Sequence, residues 1–361
     1  MSNTEMQVPE PSRLEFTAEE LLTNHPYDEP LIAGDVRCHG GFIDGRYVSP
    51  RTRVRGPATQ AWQDRLRTEG HPLVYIPRDL IPPQYPSYEQ AKFLLLEGVR
   101  DPIVRTLTII SIVEGFGAMI REAPLPDLSK CIREDLGGTA LDHLGRGLFE
   151  AHARDEAGHR DQGGHKQMWE AVRDLALDSP EIPDDVLLRM MTGRGGRRER
   201  VRMFPELPKK MEQLVTALAN VMVIEIFAFD VFKWADRLVS DPEVSARPEE
   251  AGAMVRYIRA DESPHVEYLR TALSEIRART LLTTEGREIP GAVVVDRVLE
   301  QQLRGIASRR PQEQRERVRA EIRNALADRP GSTELIRRFE DLDVGWTFPR
   351  GEDERLEPIL E

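Results

Sequence analysis

Cysteine is almost missing from this chain. Only Cys38 and Cys131 occur in 361 residues, which excludes a disulfide framework and suits a reducing, cytoplasmic setting. The N-terminal MSNTEMQVPEPS lacks the apolar stretch of a signal peptide. The most apolar run, near residues 103–120, contains Arg105 and Glu114, so no membrane span is expected. Positive charge is in deficit. The formal net charge of −12 argues against nucleic acid as the main partner. The remainder, 40% hydrophobic and 31% charged, is ordinary for a soluble globular protein. The length allows one large domain, or one domain with substantial extensions.

Histidine is also scarce, with eight in the chain, yet two of them close matching motifs. These are Asp155-Glu156-Ala157-Gly158-His159 and Asp261-Glu262-Ser263-Pro264-His265. Both read Asp-Glu-x-x-His, and fewer than about one such match is expected by chance. On a helix, residues three apart share a face. Each motif therefore presents a carboxylate and an imidazole to one point, as a metal site requires. Two further carboxylates lie in apolar runs: Glu114 in Ile109-Ile110-Ser111-Ile112-Val113-Glu114-Gly115-Phe116, and Glu225 in Val221-Met222-Val223-Ile224-Glu225-Ile226-Phe227. Such a Glu is costly to bury unless it is paired or bound to metal. The order is Glu, Glu-x-x-His, Glu, Glu-x-x-His, and each interval equals a helix, a turn and half of the next helix.

Over roughly residues 87–280 this pattern resembles the ferritin-like di-iron carboxylate superfamily, in its O2-activating oxygenase and oxidase branch. The resemblance implies an all-α, ferritin-like four-helix bundle. It makes Glu114, Glu156, His159, Glu225, Glu262 and His265 both metal ligands and catalytic centre, with Glu156 and Glu262 bridging. Oxygen ligands with one imidazole per metal suit two Fe ions, with Mn/Fe or two Mn left open. The implied activity is that of a non-haem di-iron oxygenase or oxidase. It would use O2 to hydroxylate, desaturate or N-oxygenate an organic substrate, with two electrons from a donor protein. A ferroxidase, a manganese catalase or a Mn/Fe oxidase would use the same bundle. So would a non-enzymatic bundle that binds a ligand or partner and has structural metals.

Small and apolar neighbours one turn from Glu114 (Ile110, Ser111, Gly117, Ala118) and from Glu225 (Val221, Met222, Ala228, Phe229) suit a dry space for O2 or an organic substrate. Asp155 and Asp261 resemble the aspartates of the ribonucleotide reductase small subunit, which accept a hydrogen bond from a ligand histidine. By that likeness, each Asp orients the His on the opposite helix. The radical tyrosine of that family would fall at Gly163, so its function is not expected. His152, four residues before Glu156, is a third imidazole ligand, or a residue behind the ligands or at the bundle surface. Arylamine N-oxygenases carry such an extra His before the second motif, where Ile258 stands here. His143 and His165 are expected to be non-ligands, and His25, His39 and His71 surface or packing residues.

The chain divides into an irregular N-terminal arm (1–86), the bundle (87–280) and a C-terminal helical extension (281–361). The arm carries a hairpin turning at Asp44-Gly45. Helices are expected over 87–98, 101–121 (Asp101 as cap, Pro102 first), 208–239 and 248–280, the last kinked at Pro264. A helix over 127–177 should break at Gly137-Gly138 and Gly163-Gly164. The connection 178–204 holds an arginine-rich loop from Arg194 to Arg202 that suits an anionic partner. Amphipathic helices follow at 293–306, 312–327 and 333–342, before an acidic tail. The charged stretch 315–323 suits a solvated face or the subunit contact of a homodimer.

Overall fold

The computed structural model describes residues 13–77, 80–183, 186, 201–307, 309–345 and 359–360. The loop from Arg194 to Arg200 and most of the acidic tail lie outside the described residues. The fold is predominantly helical.

The N-terminal arm is more regular than its sequence suggests. Helix α1 (Ala18–Leu22) starts at a reciprocal Thr17–Glu20 capping box. Strands β1 (Glu29–Ala33), β2 (Val36–Ile43) and β3 (Arg46–Val48) form an antiparallel sheet in that order. Asp44 and Gly45, at φ 49° and 71°, make the tight turn between β2 and β3. Helix α2 (Thr52–Thr68) follows, where no long helix was expected. Its buried face comprises Arg55, Ala58, Thr59, Trp62, Gln63 and Leu66. Half of that face is polar, so the helical spacing carries no apolar signal. Strand β4 (Val74–Tyr75) pairs with the C-terminal strand Ile359–Leu360.

Helix α3 (Tyr88–Leu96) begins at a Ser87–Gln90 capping box. Helix α4 (Asp101–Gly117) has Pro102 in its first turn and runs into a 3-10 segment, Ala118–Glu122. Its cap position is Arg100 rather than Asp101. The expected 127–177 helix is several pieces: α5 (Ala140–His143), a π-type turn (Leu144–Leu148), α6 (Phe149–Ala157) and α7 (His165–Leu177). The long helices α8 (Lys209–Val239) and α9 (Pro248–Arg277) come next, and α9 continues through Pro264. A hairpin of β5 (Thr280–Leu282) and β6 (Glu288–Pro290) leads to α10 (Gly291–Ala307), α11 (Arg309–Ala327) and α12 (Ser332–Asp341).

Helix α8 packs on α9, α9 on α7, α7 on α4, and α4 on α6. One apolar core joins Leu21 and Trp62 of the arm, Leu214 and Tyr268 of α8 and α9, and Val294 and Leu299 of α10. A second, around Ile103, Trp169, Phe232 and Val255, closes the other end of the same helices. Phe339 of α12 and Ile322 of α11 pack against Leu94 of α3. Each such fully buried side chain contributes roughly 1.5–3 kcal/mol. Both cysteines are buried and free.

Two stretches, Asp101–Glu122 and Lys209–Val239, are long and apolar enough by composition to cross a membrane, with 44% of each window buried in the protein. Their buried faces include Glu114 and Glu225. Ile109, Val113 and Phe116 of α4 and Ile224 of α8 are exposed on the outer side.

Candidate metal centre

Five helices deliver donors to one buried place. Helix α4 supplies Glu114, α6 supplies His152 and Glu156 one turn apart, and α7 supplies His165 at its first residue. Helix α8 supplies Glu225, and α9 supplies Glu262 and His265 on one face. All seven side chains are buried.

Their atoms converge in two overlapping groups. His165 Nδ1 lies 2.9 Å from Glu262 Oε1, 3.3 Å from Glu156 Oε1 and 3.5 Å from Glu114 Oε2. His265 Nδ1 lies 3.0 Å from Glu262 Oε2 and 3.1 Å from Glu156 Oε1. His152 Nε2 lies 3.2 Å from Glu225 Oε1 and 3.7 Å from Glu156 Oε1. Glu262 therefore offers one oxygen to each of two imidazoles, His165 and His265, while Glu156 and His265 belong to both groups.

His159 is not part of this assembly. Helix α6 ends at Ala157, and Gly158 takes φ 80°, so the chain leaves the helix before His159 can come round to the Glu156 face. The backbone of His159 instead pairs with Gln162 in the connecting loop. That loop is pinned to β2: Gly163 N–H donates to Arg37 O, and His39 N–H donates to Gly163 O. It returns so tightly that a Cβ at Gly164 would sit 2.5 Å from Asp155 O. The return brings His165, rather than His159, against the Glu156 carboxylate. The expectation that His165 is a bystander is thus corrected. His152, by contrast, lies within the cluster.

Behind the donors, two aspartates face the far edges of the imidazoles. His265 Nε2 is 3.1 Å from Asp155 Oδ2, and His165 Nε2 is 3.4 Å from Asp261 Oδ2. Each Asp meets a His from another helix, and Asp261 meets His165 rather than His159. His152 Nδ1 lies 3.0 Å from the Tyr268 hydroxyl. Such contacts fix which ring nitrogen carries the proton and leave the other free to bind metal.

The arm, from which no chemistry was expected, completes this layer. Tyr47 donates to Asp261 Oδ2 at 2.7 Å, and His39 Nε2 lies 3.0 Å from the same oxygen. The Arg51 guanidinium pairs with Asp155, and Arg55 Nη2 reaches Asp155 Oδ2 at 2.8 Å. All four side chains come from β2, β3 and the start of α2. His39 is therefore neither a surface residue nor a packing filler. No spacing rule could have found this group, because each contact joins residues far apart in sequence.

Protonation requirements within the cluster conflict. Burial and the facing Glu156 push the Glu114 carboxyl well above the usual range, and burial with Glu262 and Glu156 does the same to Glu225. Burial opposes a charged His165 and His265, yet the neighbouring carboxylates hold both well above the usual imidazole range. Asp155 is held well below the carboxylate range: burial opposes this, but Arg55 and Arg51 outweigh it. Five inward atoms have no hydrogen-bond partner: Glu114 Oε2, His152 Nε2, Glu156 Oε1, Glu262 Oε1 and His165 Nδ1; His165 Nε2, on the Asp261 side, has none either. Unpaired buried acceptors cost free energy, and the cluster offsets its charge only by keeping protons on Glu114, Glu225 and both imidazoles. Metal cations at these groups would satisfy the acceptors and take the place of those protons. The donor set fits them.

Space for Glu156 depends on one small neighbour. A Cβ at Gly117 would lie 2.5 Å from Glu156 Cγ. Comparison of the chain with protein-family models, curated proteins and solved structures found no match.

Proposed function

We propose that the protein is a ferritin-like carboxylate-bridged dinuclear metalloenzyme, with two Fe ions, that uses O2 to oxidise an apolar organic substrate. The observation that carries this reading is the division of Glu262, with Oε1 beside His165 and Oε2 beside His265. A carboxylate shared between two imidazole-bearing positions is the arrangement a metal pair requires. In this reading Glu114 and His165 hold one metal, Glu225, His265 and His152 hold the other, and Glu156 and Glu262 serve both. Carboxylate oxygens with few nitrogens suit iron or manganese better than zinc. When bound, such a pair supplies two-electron reduction of O2, with electrons replenished by a donor protein.

The chain's own residues position and shield. Asp155 accepts the Nε2 proton of His265, and Asp261 stands 3.4 Å from Nε2 of His165, so both Nδ1 atoms are turned inward. Tyr268 faces Nδ1 of His152, so that Nε2 is presented. The buried surroundings exclude bulk water from the donors. Glu114 and Glu225, at 8% and 6% exposed, are the most open of the seven donors. The outer faces of their helices carry Ile109, Val113, Phe116 and Ile224. Exposed apolar side chains on the helices that carry the two most accessible ligands favour an organic substrate over hydrated iron.

The test is metal analysis of the purified chain, followed by anaerobic Fe(II) loading and exposure to O2 under an absorption spectrometer. About two metals per chain and a visible band that forms and decays are expected. Less than about one metal per chain after loading, or no oxidation, sinks the reading.

A further inference from the structure

The two aspartates behind the imidazoles hold matching positions but have unlike company. Each directly precedes a Glu of the donor cluster, each is fully buried, and each faces an imidazole from another helix. Asp155 also meets two fixed positive charges, the guanidiniums of Arg51 and Arg55. Asp261 meets no such charge among the described residues; its other neighbours are the Tyr47 phenol and the His39 ring. Burying a carboxylate without positive charge nearby is costly. We propose that a divalent cation, Zn(II), binds outside the donor cluster at His39, His165 and Asp261, and supplies to Asp261 the two positive charges that Arg51 and Arg55 supply to Asp155.

The donors are already gathered. His39, His165 and Asp261 bring their ligand atoms within 4.8 Å of one another. His39 Nε2 lies 3.0 Å, and His165 Nε2 3.4 Å, from Asp261 Oδ2. Ligands bound at about 2.0–2.2 Å around a tetrahedral zinc stand roughly 3.3–3.5 Å apart, so small shifts suffice. All three side chains are buried, and His165 Nε2 and Asp261 Oδ1 have no hydrogen-bond partner. A small turn of the carboxylate gives one oxygen to the ion and leaves the other to the Tyr47 phenol, which holds it in place. Two imidazoles with a single carboxylate suit zinc better than the carboxylate-rich cluster does.

This ion is additional to the proposed metal pair, and the two readings meet only at His165. Its Nδ1 faces Glu262, Glu156 and Glu114, and its Nε2 faces Asp261. One ring, having given up its second proton, serves a cation on each side. The ligands come from three elements: His39 from β2, His165 from α7 and Asp261 from α9. The ion therefore pins the arm to two donor helices, as Arg51 and Arg55 pin it to Asp155 of α6, and its binding adds to the stability of the fold.

The test starts from the metal-free full-length protein, loaded anaerobically with Fe(II), freed of excess metal by gel filtration and titrated with Zn(II) against a chelating dye. Bound metals are then counted by mass spectrometry. Wild type should keep about two irons and take up about one zinc. His39→Gln should keep the iron and bind less than about 0.2 zinc. Tyr47→Phe removes only the hydrogen bond to Asp261 and should weaken zinc binding by roughly 10–100-fold. If His39→Gln fails to fold, as judged by circular dichroism, Tyr47→Phe decides. Co(II) in place of zinc should give the visible band of a four-coordinate ion in wild type and not in His39→Gln. Two irons and no zinc in wild type, zinc that enters only by displacing iron, or a His39→Gln variant that binds zinc as wild type does, would overturn the proposal and leave the dinuclear reading standing. One zinc that depends on His39, in a chain that holds no iron, would overturn the dinuclear reading and leave this site standing.

Discussion

At the scale of single residues, the sharpest contrast is between His159 and His165. One belongs to the motif and lies in a loop; the other has no motif and faces three buried carboxylates. His165→Ala should lower the metal content by about one ion per chain, measured by mass spectrometry after Fe(II) loading. His159→Ala should keep the wild-type content and shift unfolding in urea by less than about 0.5 kcal/mol. The reverse outcome would return the ligand role to His159. Gly117 supplies a second contrast. Its alanine variant places a Cβ 2.5 Å from Glu156 Cγ, so Glu156 must move away from the shared position. Metal affinity should fall by roughly 10–100-fold, read by competition with a chelating dye, while helix content by circular dichroism stays unchanged. Glu114, Glu225, Glu262 and His265 were legible because each sits on an uninterrupted helix, where spacing fixes direction. His152 was half legible, since four residues separate it from Glu156. His165 was not, because its place depends on a loop closure rather than a period.

At the scale of elements, that loop closure hangs on Gly158. Its φ of 80° ends α6, and a Cβ there would meet Gln162 O at 2.2 Å. Gly158→Ala should destabilise the protein by about 2–4 kcal/mol through backbone strain and the displaced loop. Urea unfolding measures this, and a change below about 0.5 kcal/mol would show that the turn is not required. The helix break was legible in the glycines, but at Gly163-Gly164, one loop-length too late. Helices α3, α8 and α10 were legible within a few residues at most ends, because their apolar residues keep helical spacing and their ends carry Ser87, Pro208 or Gly291. Helix α2 was hidden because its buried face uses Arg55, Thr59 and Gln63, two of which have partners in other elements. The arm was legible as a hairpin and opaque as a chemical element. Periodicity reports burial among apolar neighbours, and the arm buries polar groups instead.

At the scale of the whole molecule, stability and site share the same buried charges. The arm, the donor helices α6, α8 and α9, and α10 contribute to one core, so an unpaired charge in the arm should be felt well beyond it. Arg55→Met removes one of two guanidiniums from Asp155 and should cost roughly 3–5 kcal/mol in urea unfolding. Glu275 offers a test away from the donor cluster. Its buried carboxylate accepts from Ala140 N–H at 3.0 Å and Leu141 N–H at 2.9 Å, tying α9 to the start of α5. Burial pushes its pKa up to about 7, against the opposing pull of Arg279 and the two N–H groups. A folded-state value above the unfolded one means that stability is fully present below the unfolded pKa, near 4.5, and is lost as pH rises through about 7. The loss should amount to about 3 kcal/mol between pH 5 and pH 8. Glu275→Gln cannot ionise and should lack that component, so wild type minus variant, at matched metal loading, should fall across this window. A difference that stays flat from pH 5 to pH 8 would mean that the two backbone donors hold Glu275 ionised throughout, and that α5 is anchored by a charge rather than by a proton.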